Sequence, residues 1–473
     1  MNILFASFEA TPFAKTGGLG DVAGSLPAEL NKLGADVRLF MPKYRIIPAA
    51  LTENAQLMLE TSINIGGVDK YAGLYRLVHR GVTVYLLDNE EYFGGDGIYG
   101  YGESGADQSV FFCRALCELI PKLDFEPQIV HCNDWQTALI PALLRFHYPH
   151  LGLKTALTIH NLQYQGIYSL GKIKYLTGLP DEAFTMQGLE FYGGANLLKA
   201  GIVYADRVNT VSPTYAGETL TAECGEKLEG VLADKGDHYQ GILNGLDYRV
   251  FHPRTDRHIP ANYSYMRLDG KKACREALTR QFGLEADGIP VAAVISRLVD
   301  QKGLALLASC IESVVAEGKC ALVVLGSGDP KYEDFFSGLS ARYPTRAVAW
   351  IGYNADLAQK IYAGADLFLM PSRFEPCGLS QLIAMKYGTV PLVRETGGLY
   401  DTVSSYNSGT GTGTGFTFAP YSAEALEFTL RRAIRYYTDH GDVWKKLMVR
   451  GMKKDYSWKA SAGKYLEMYS TVL

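Results

Sequence analysis

At 473 residues the chain exceeds what one hydrophobic core ordinarily supports, so two domains of about 200 residues or more are expected. A 47% hydrophobic and 20% charged composition is that of a globular protein in water, and a net charge of −4 excludes the basic footprint of nucleic-acid or anionic-membrane binding. Eight scattered cysteines without a C-x-x-C pair exclude a disulfide framework and a zinc site and suit reduced thiols.

The N-terminal MNILFASFEA runs straight into a strand pattern without a basic leader or a long apolar segment. No signal peptide, transit peptide or membrane span is expected, which points to the cytoplasm. Along the first half, NILFAS (2–7), DVRLFM (36–41), VTVYLLD (82–88), PQIVHC (127–132) and KTALTIH (154–160) are nearly continuous apolar runs, the signature of strands buried on both faces. Helical patterns lie between them at 19–33, 107–121 and 134–147. The stretch 243–264, rich in Pro, Asn, Asp and Tyr, lacks periodicity and is the expected hinge. The alternation restarts with PVAAVIS (290–296), CALVVLG (320–326), AVAWIG (347–352), DLFLMP (366–371) and TVPLVR (389–394). NSGTGTGTGF (407–416) has the composition of a flexible surface loop. Two blocks of strand–helix alternation predict an α/β protein with two doubly wound, Rossmann-like domains whose ligand-binding loops face one another across a cleft.

A short echo runs through this pattern. FAKTGGLGDVAG (13–24) and RETGGLYDTV (394–403) both place a glycine pair just before a helical pattern. Backbone N–H groups approach an anion in this way at a helix N-terminus. Lys15 precedes the first copy and Arg394 the second. Each loop alone is equally a tight strand-to-helix turn, and the pair gains meaning from its company. That company, in chain order, is KTGGLGDV (15–22), HCNDWQTALIP (131–141), TIHNLQYQG (158–166), NTVSPTYAGE (209–218), ILNGLD (242–247), SRLVDQKG (296–303) and the block from PSRFEPCGLSQLIAMKYGTVPLV to RETGGLYDTV (371–403). Over nearly its whole length the chain resembles the bacterial glycogen synthase and plant starch synthase family. Those enzymes are retaining glucosyltransferases of the GT-B architecture.

The resemblance implies ADP-glucose as donor, the non-reducing end of an α-1,4-glucan (glycogen) as acceptor, and no cofactor; the alternative is another retaining GT-B glucosyltransferase that uses UDP-glucose or a different acceptor. It divides the chain into an N-terminal, acceptor-side domain over 1–248, a donor-binding domain over 249–455, and a C-terminal helix over 456–473 that crosses back to the first domain. Domain closure is the corresponding expectation. D-x-D, the usual metal-holding motif of glycosyltransferases, is absent from the sequence, so no metal is expected and fixed cations must stabilise the departing diphosphate. Arg297 and Lys302 match the family's diphosphate-binding positions. Glu375 matches the carboxylate that holds the transferred sugar, with the Cys377–Gly378–Leu379 backbone supporting it. Lys15, with Gly17 and Gly18, would approach the donor from the first domain, and Thr396, Gly397 and Gly398 from the second through backbone N–H groups. His160 would lie beside the transferred sugar without acting as a general base. Asn161 and Asn244 would contact sugar hydroxyls, Tyr99 would line the cleft, and Tyr353 would stack on the base. Asp21 and Asp134 match acidic cleft positions. Either is equally an N-cap, Asp134 especially, since a helical pattern starts at Trp135. The broader superfamily carries a second Glu eight positions after the first; here Ile383 stands there, which leaves the ribose contact open.

Two other classes fit less well. A dinucleotide-dependent dehydrogenase needs G-x-G-x-x-G after its first strand, which FEATPFAKTGGLG lacks. A non-catalytic glucan-binding protein would have no need for Lys15, Arg297, Lys302 and Glu375 together.

Overall fold

Apolar runs become parallel strands here because helices cover both faces of each sheet. The computed structural model describes residues 1–473 in two units, one formed by Met1–Gly245 with Trp458–Leu473, the other by Leu246–Ser457. No helix is long and apolar enough to cross a membrane.

The first unit contains, in chain order, β1 (Asn2–Ala6), β2 (Asp36–Pro42), β3 (Gln56–Ile65), β4 (Val68–His79), β5 (Val82–Asp88), β6 (Ile129–Asn133), β7 (Lys154–Ile159), β8 (Ile167–Ser169), β9 (Glu190–Phe191), β10 (Gly194–Asn196), β11 (Arg207–Thr210) and β12 (Tyr239–Gly241). Its main sheet runs β12-β11-β7-β6-β1-β2-β5-β4-β3, while β8, β10 and β9 form a small antiparallel sheet. Pairing is parallel from β12 to β5, and the chain winds outward in both directions from the β1–β6 pair. The β3–β4 hairpin extends the sheet antiparallel beyond β5. Sequence reasoning passed it over, although Gly66 and Gly67 (φ +58° and +80°) form the two-residue turn that such hairpins favour.

Two expected helices are shorter than their patterns. The pattern at 19–33 splits into Gly18–Ala23 and Leu26–Lys32. Pro27 suits a first helical turn but would clash within a continuous helix. A Cβ on Gly24 would lie 2.4 Å from the Thr11 carbonyl oxygen, so the break is also packed against the β1 loop. The pattern at 134–147 yields a helix only over Ile140–Phe146.

The second unit holds β13 (Val291–Ile295), β14 (Ala321–Gly326), β15 (Ala347–Ile351), β16 (Leu367–Met370), β17 (Val390–Arg394) and β18 (Phe416–Phe418), all parallel, in the order β15-β14-β13-β16-β17-β18. Numbered from its first strand this order is 3-2-1-4-5-6, the doubly wound arrangement whose reversal lies between β13 and β16. The glycine- and threonine-rich 407–416 tract is tied down: Asn407 Oδ1 accepts the Gly409 and Thr410 N–H groups, and Arg450 donates to the Gly413 carbonyl at 3.1 Å.

The terminal helix Trp458–Ser470 joins the first unit through a buried circuit of hydrogen bonds. Thr158 Oγ1 donates to Asn209 Oδ1 (2.8 Å), so it must accept from His131 Nε2 (2.7 Å). That leaves His131 Nδ1 bare to accept the Tyr469 hydroxyl (2.7 Å), while Asn209 Nδ2 donates to Tyr465 Oη (3.3 Å). Burial lowers the His131 pKa to about 3, so the ring is neutral, and this tautomer matches donor to acceptor at both of its nitrogens. The circuit begins and ends on tyrosines four residues apart on one helix and crosses β6, β7 and β11. Tyr469→Phe leaves a buried acceptor without its donor. We expect a loss of about 1–3 kcal/mol in the first unit's unfolding transition, read as a lower urea midpoint at unchanged slope. An unchanged midpoint would show that the bond contributes nothing.

Candidate active site

In doubly wound sheets a ligand binds outside the strand C-termini, where the strand order reverses. In the second unit that point lies between the segments following β13 and β16. The first carries Arg297 and Lys302, the second Glu375. Lys302 Nζ lies 2.9 and 2.7 Å from the two carboxylate oxygens of Glu375, and Ser372 Oγ donates to the same carboxylate at 3.0 Å. Residues 73 positions apart, which sequence reasoning gave separate tasks, thus form one partly buried ion pair. Arg297 is exposed and donates to Gln301 Oε1 at 3.3 Å, while the Gln301 carbonyl accepts the Arg373 N–H at 2.8 Å.

Glycines set the spacing of these loops. Gly303 (φ +68°) has the Pro371 carbonyl oxygen 1.9 Å from where a Cβ would sit. A Cβ on Gly397 would lie 2.0 Å from the Glu375 carbonyl oxygen, and one on Gly398 2.1 Å from that of Cys377. The second T-G-G-L therefore packs its backbone directly against E-P-C-G. This corrects the expectation that its N–H groups stand ready for an anion. The Gly398 N–H donates to the Glu375 carbonyl (3.1 Å), Thr396 N–H to Arg394 O (3.0 Å) and Leu399 N–H to Thr396 O (3.0 Å). Gly378, at φ +72°, turns the loop between Cys377 and Leu379, and Ile383 is buried in the core.

In the first unit the order reverses between β1 and β6, and the loops after these strands carry the first T-G-G-L and Asp134. Glu9, a residue sequence reasoning missed, organises this end. Its buried carboxylate accepts the Thr16 N–H (2.7 Å), the Thr16 hydroxyl (2.6 Å) and the Gly17 N–H (3.0 Å), as well as the hydroxyl of Tyr99. Tyr99 is thus a mostly buried partner of Glu9, its pKa raised by burial and by that carboxylate. Gly17 caps the helix Gly18–Ala23, and Lys15 pairs with Asp21 on it at 2.7 Å. A carboxylate seven residues before a Thr-Gly pair is the only signal of this arrangement in the sequence, and it reads as an ordinary strand-end residue.

Asp134 is not an N-cap. Its backbone is left-handed (φ +57°), and its carboxylate accepts the His160 N–H at 2.7 Å, bridging the ends of β6 and β7. Burial raises its pKa to about 7 against the lowering effect of the His160 and Asn161 N–H groups, with Glu9 adding in the same direction. His160 Nε2 meets Asn133 Oδ1 at 3.0 Å, and burial lowers the ring to about 3, so it is neutral at physiological pH. Asn161 accepts the Gln163 N–H (3.1 Å). Lys15, Asp21, Tyr99, Asp134, His160 and Asn161 are thus gathered around the C-terminal ends of β1, β6 and β7. Asn244 follows β12 separately, buried, with its Oδ1 unpartnered. Tyr353 follows β15 and is 84% exposed.

The two glycine echoes therefore need glycine for different reasons, and this is testable. A Cβ on Gly17 meets nothing within 4 Å, whereas one on Gly397, at φ +45°, collides with backbone. Gly17→Ala should leave stability within about 0.5 kcal/mol, while Gly397→Ala should cost about 1–3 kcal/mol or more, measured by urea unfolding. Equal effects would contradict the packing described here.

Comparison with known proteins identifies the family. The family described as "Starch synthase catalytic domain" matches residues 2–234 and "Glycosyl transferases group 1" matches residues 276–441. Glycogen synthase of Lachnospira eligens is 46% identical over 477 residues, covering 100% of both chains. That of Geobacillus stearothermophilus is 44% identical over 478 residues, covering 100% of this chain and 98% of the relative. Among solved structures, the catalytic domain of starch synthase IV from Arabidopsis thaliana, bound to ADP and acarbose, superposes with a TM-score of 0.92 at 32% identity, covering 99% of this chain and 98% of that one. Sucrose-phosphate synthase from Thermosynechococcus elongatus shares the fold at 19% identity, with a TM-score of 0.63 over 100% of this chain and 98% of that one. Its two doubly wound sheets and its full-length relatives place the chain in the glycogen synthase family of GT-B glycosyltransferases.

Proposed function

We propose that the chain transfers glucose from ADP-glucose to the non-reducing end of an α-1,4-glucan, with retention of configuration, as a cytoplasmic enzyme. The observation that carries this reading is the position of Lys302 and Glu375. They meet at the point of strand reversal where a doubly wound sheet receives a nucleotide ligand. The ADP bound to the Arabidopsis starch synthase domain supports an adenine nucleotide donor.

In this reading the bond between the glucosyl C1 and the diphosphate oxygen breaks as C1 bonds to the acceptor's O4, through an oxocarbenium-like transition state. Arg297 and Lys302 receive the charge that develops on the departing diphosphate. Glu375 holds the transferred sugar, and its carboxylate stabilises the positive charge that develops on the ring. His160 is a poor general base, since burial keeps its pKa near 3 and Nε2 already faces Asn133. The leaving phosphate oxygen itself takes the proton of the attacking hydroxyl. Lys15, Asp21, Tyr99, Asp134, His160, Asn161 and Asn244 supply the first unit's contacts. Arg297, Lys302, Tyr353, Glu375 and Cys377–Leu379 supply the second's.

The direct test is glucose incorporation into a glycogen primer from ADP-glucose and UDP-glucose side by side. Preference for ADP-glucose is expected, and a strict UDP-glucose requirement would replace the donor assignment. Lys302→Ala should lower turnover by roughly 10²-fold or more. Glu375→Gln, which keeps volume but loses charge, should lower kcat by a larger factor than it weakens donor affinity. Because D-x-D is absent from the sequence, activity should survive EDTA. A strict need for one divalent metal would overturn the cation-based mechanism.

A further inference from the structure

Behind the donor-side loops stands Gln381, on the helix Ser380–Lys386, with its side chain completely buried. It has no part in the roles assigned above. Its Nε2 carries two N–H groups and lies 3.0 Å from each of the carbonyls of Cys377 and Gly378 and 3.2 Å from Thr402 Oγ1, so one N–H is shared between two of these three acceptors. Thr402 lies at the end of the helix opened by the second T-G-G-L, and its hydroxyl donates to the Gly398 carbonyl at 2.6 Å. The Gly398 N–H in turn donates to the Glu375 carbonyl at 3.1 Å. The path therefore closes on itself: from the Gln381 amide to Thr402, to Gly398, to Glu375, and back along the chain through Cys377 and Gly378 to Gln381.

Two features show that this amide serves the loops and not its own satisfaction. Its Oε1 is buried without a partner, a state that costs free energy wherever it occurs. The same oxygen lies 2.4 Å from where a Cβ on Gly378 would be, so loop and amide are packed to contact and Gly378 admits no side chain. Reversing the amide would relieve Oε1 only by turning it toward two carbonyl oxygens, so the donor atoms hold the orientation.

We propose that Gln381 is a positioning residue for the donor site. Its amide braces the E-P-C-G-L loop against the helix of the second T-G-G-L, and so holds Glu375 and the Gly397–Gly398 turn at one spacing. The inference rests on the reading of these loops as donor-binding. A misplacement of about 1 Å in such a loop is enough to cost up to about 10²-fold in function.

The test measures ADP affinity by calorimetry on the full chain, together with donor KM and kcat. It compares wild type, Gln381→Met, Thr402→Val and a control in the same unit, Leu430→Ala, whose fully buried side chain lies on the helix Ala423–Asp439. Gln381→Met keeps the length of the side chain and removes every donor. We expect it to weaken ADP binding and raise donor KM by roughly ten-fold or more. Thr402→Val should do the same to a smaller degree, and the double variant should lose less than the two losses combined. Leu430→Ala should lose stability while ADP affinity stays within about two-fold, since no loop contact changes. ADP binding by Gln381→Met within two-fold of wild type overturns the proposal. So does a loss no larger than that of Leu430→Ala. Should Gln381→Met fail to fold, Thr402→Val decides by the same criterion. Wild-type protein that does not bind ADP would instead remove the donor-site reading, and this inference with it.

Discussion

Carbonyl oxygens of one loop touching the α-carbons of the next are the constraint on which the second unit's loops depend. Gly303 against Pro371, Gly397 against Glu375 and Gly398 against Cys377 are contacts that exclude a side chain of any size. Because these backbones meet directly, the segments following β13, β16 and β17 cannot shift independently. Lys302 and Glu375 are carried on two of them, so the fit of the backbone sets the distance across which the two side chains pair.

The first unit reaches a comparable rigidity by other means. There the loop after β1 is held by a carboxylate: Glu9 gathers two backbone N–H groups and two hydroxyls, and leaves the space beside Gly17 open. Identical letters in the two T-G-G-L stretches thus serve opposite ends. One glycine leaves the space beside it unfilled, and the others permit protein to close on protein. Charge is arranged differently as well. In the first unit's site burial raises the Asp134 pKa to about 7 and so favours its neutral form, whereas Lys302 and Glu375 compensate one another as an ion pair.

What was legible in the sequence follows the range of the interactions responsible. Parallel strands announce themselves as apolar runs, because burial on both faces is a local requirement, and each run from NILFAS to TVPLVR lies on a strand. The T-G-G-L echo, and its position before two helices, was equally plain. Local chemistry misled where a distant partner prevailed. Asp134 has the composition and setting of an N-cap, yet its carboxylate is drawn to the His160 N–H on the neighbouring strand end, and the helix starts six residues later. Glu9 could not be singled out, since its partners include a tyrosine 90 positions away. The Lys302–Glu375 pair was beyond reach for the same reason, although each member had been chosen separately. The β3–β4 hairpin is the one omission that local rules would have repaired.

The terminal helix has a consequence for how the protein is made. Trp458, Tyr465 and Tyr469 belong to the core of the first unit, and the circuit through His131, Thr158 and Asn209 is incomplete without them. Those residues are translated after all of Leu246–Ser457. Domains ordinarily fold in the order of their synthesis, the N-terminal one first. Here that order is interrupted: the sheet that begins the chain waits, with His131 and its neighbours uncovered, until the entire second unit has left the ribosome. The unit begun first is finished last, so the second unit has the earlier opportunity to fold, and the nascent first unit is the stage most in need of protection from aggregation.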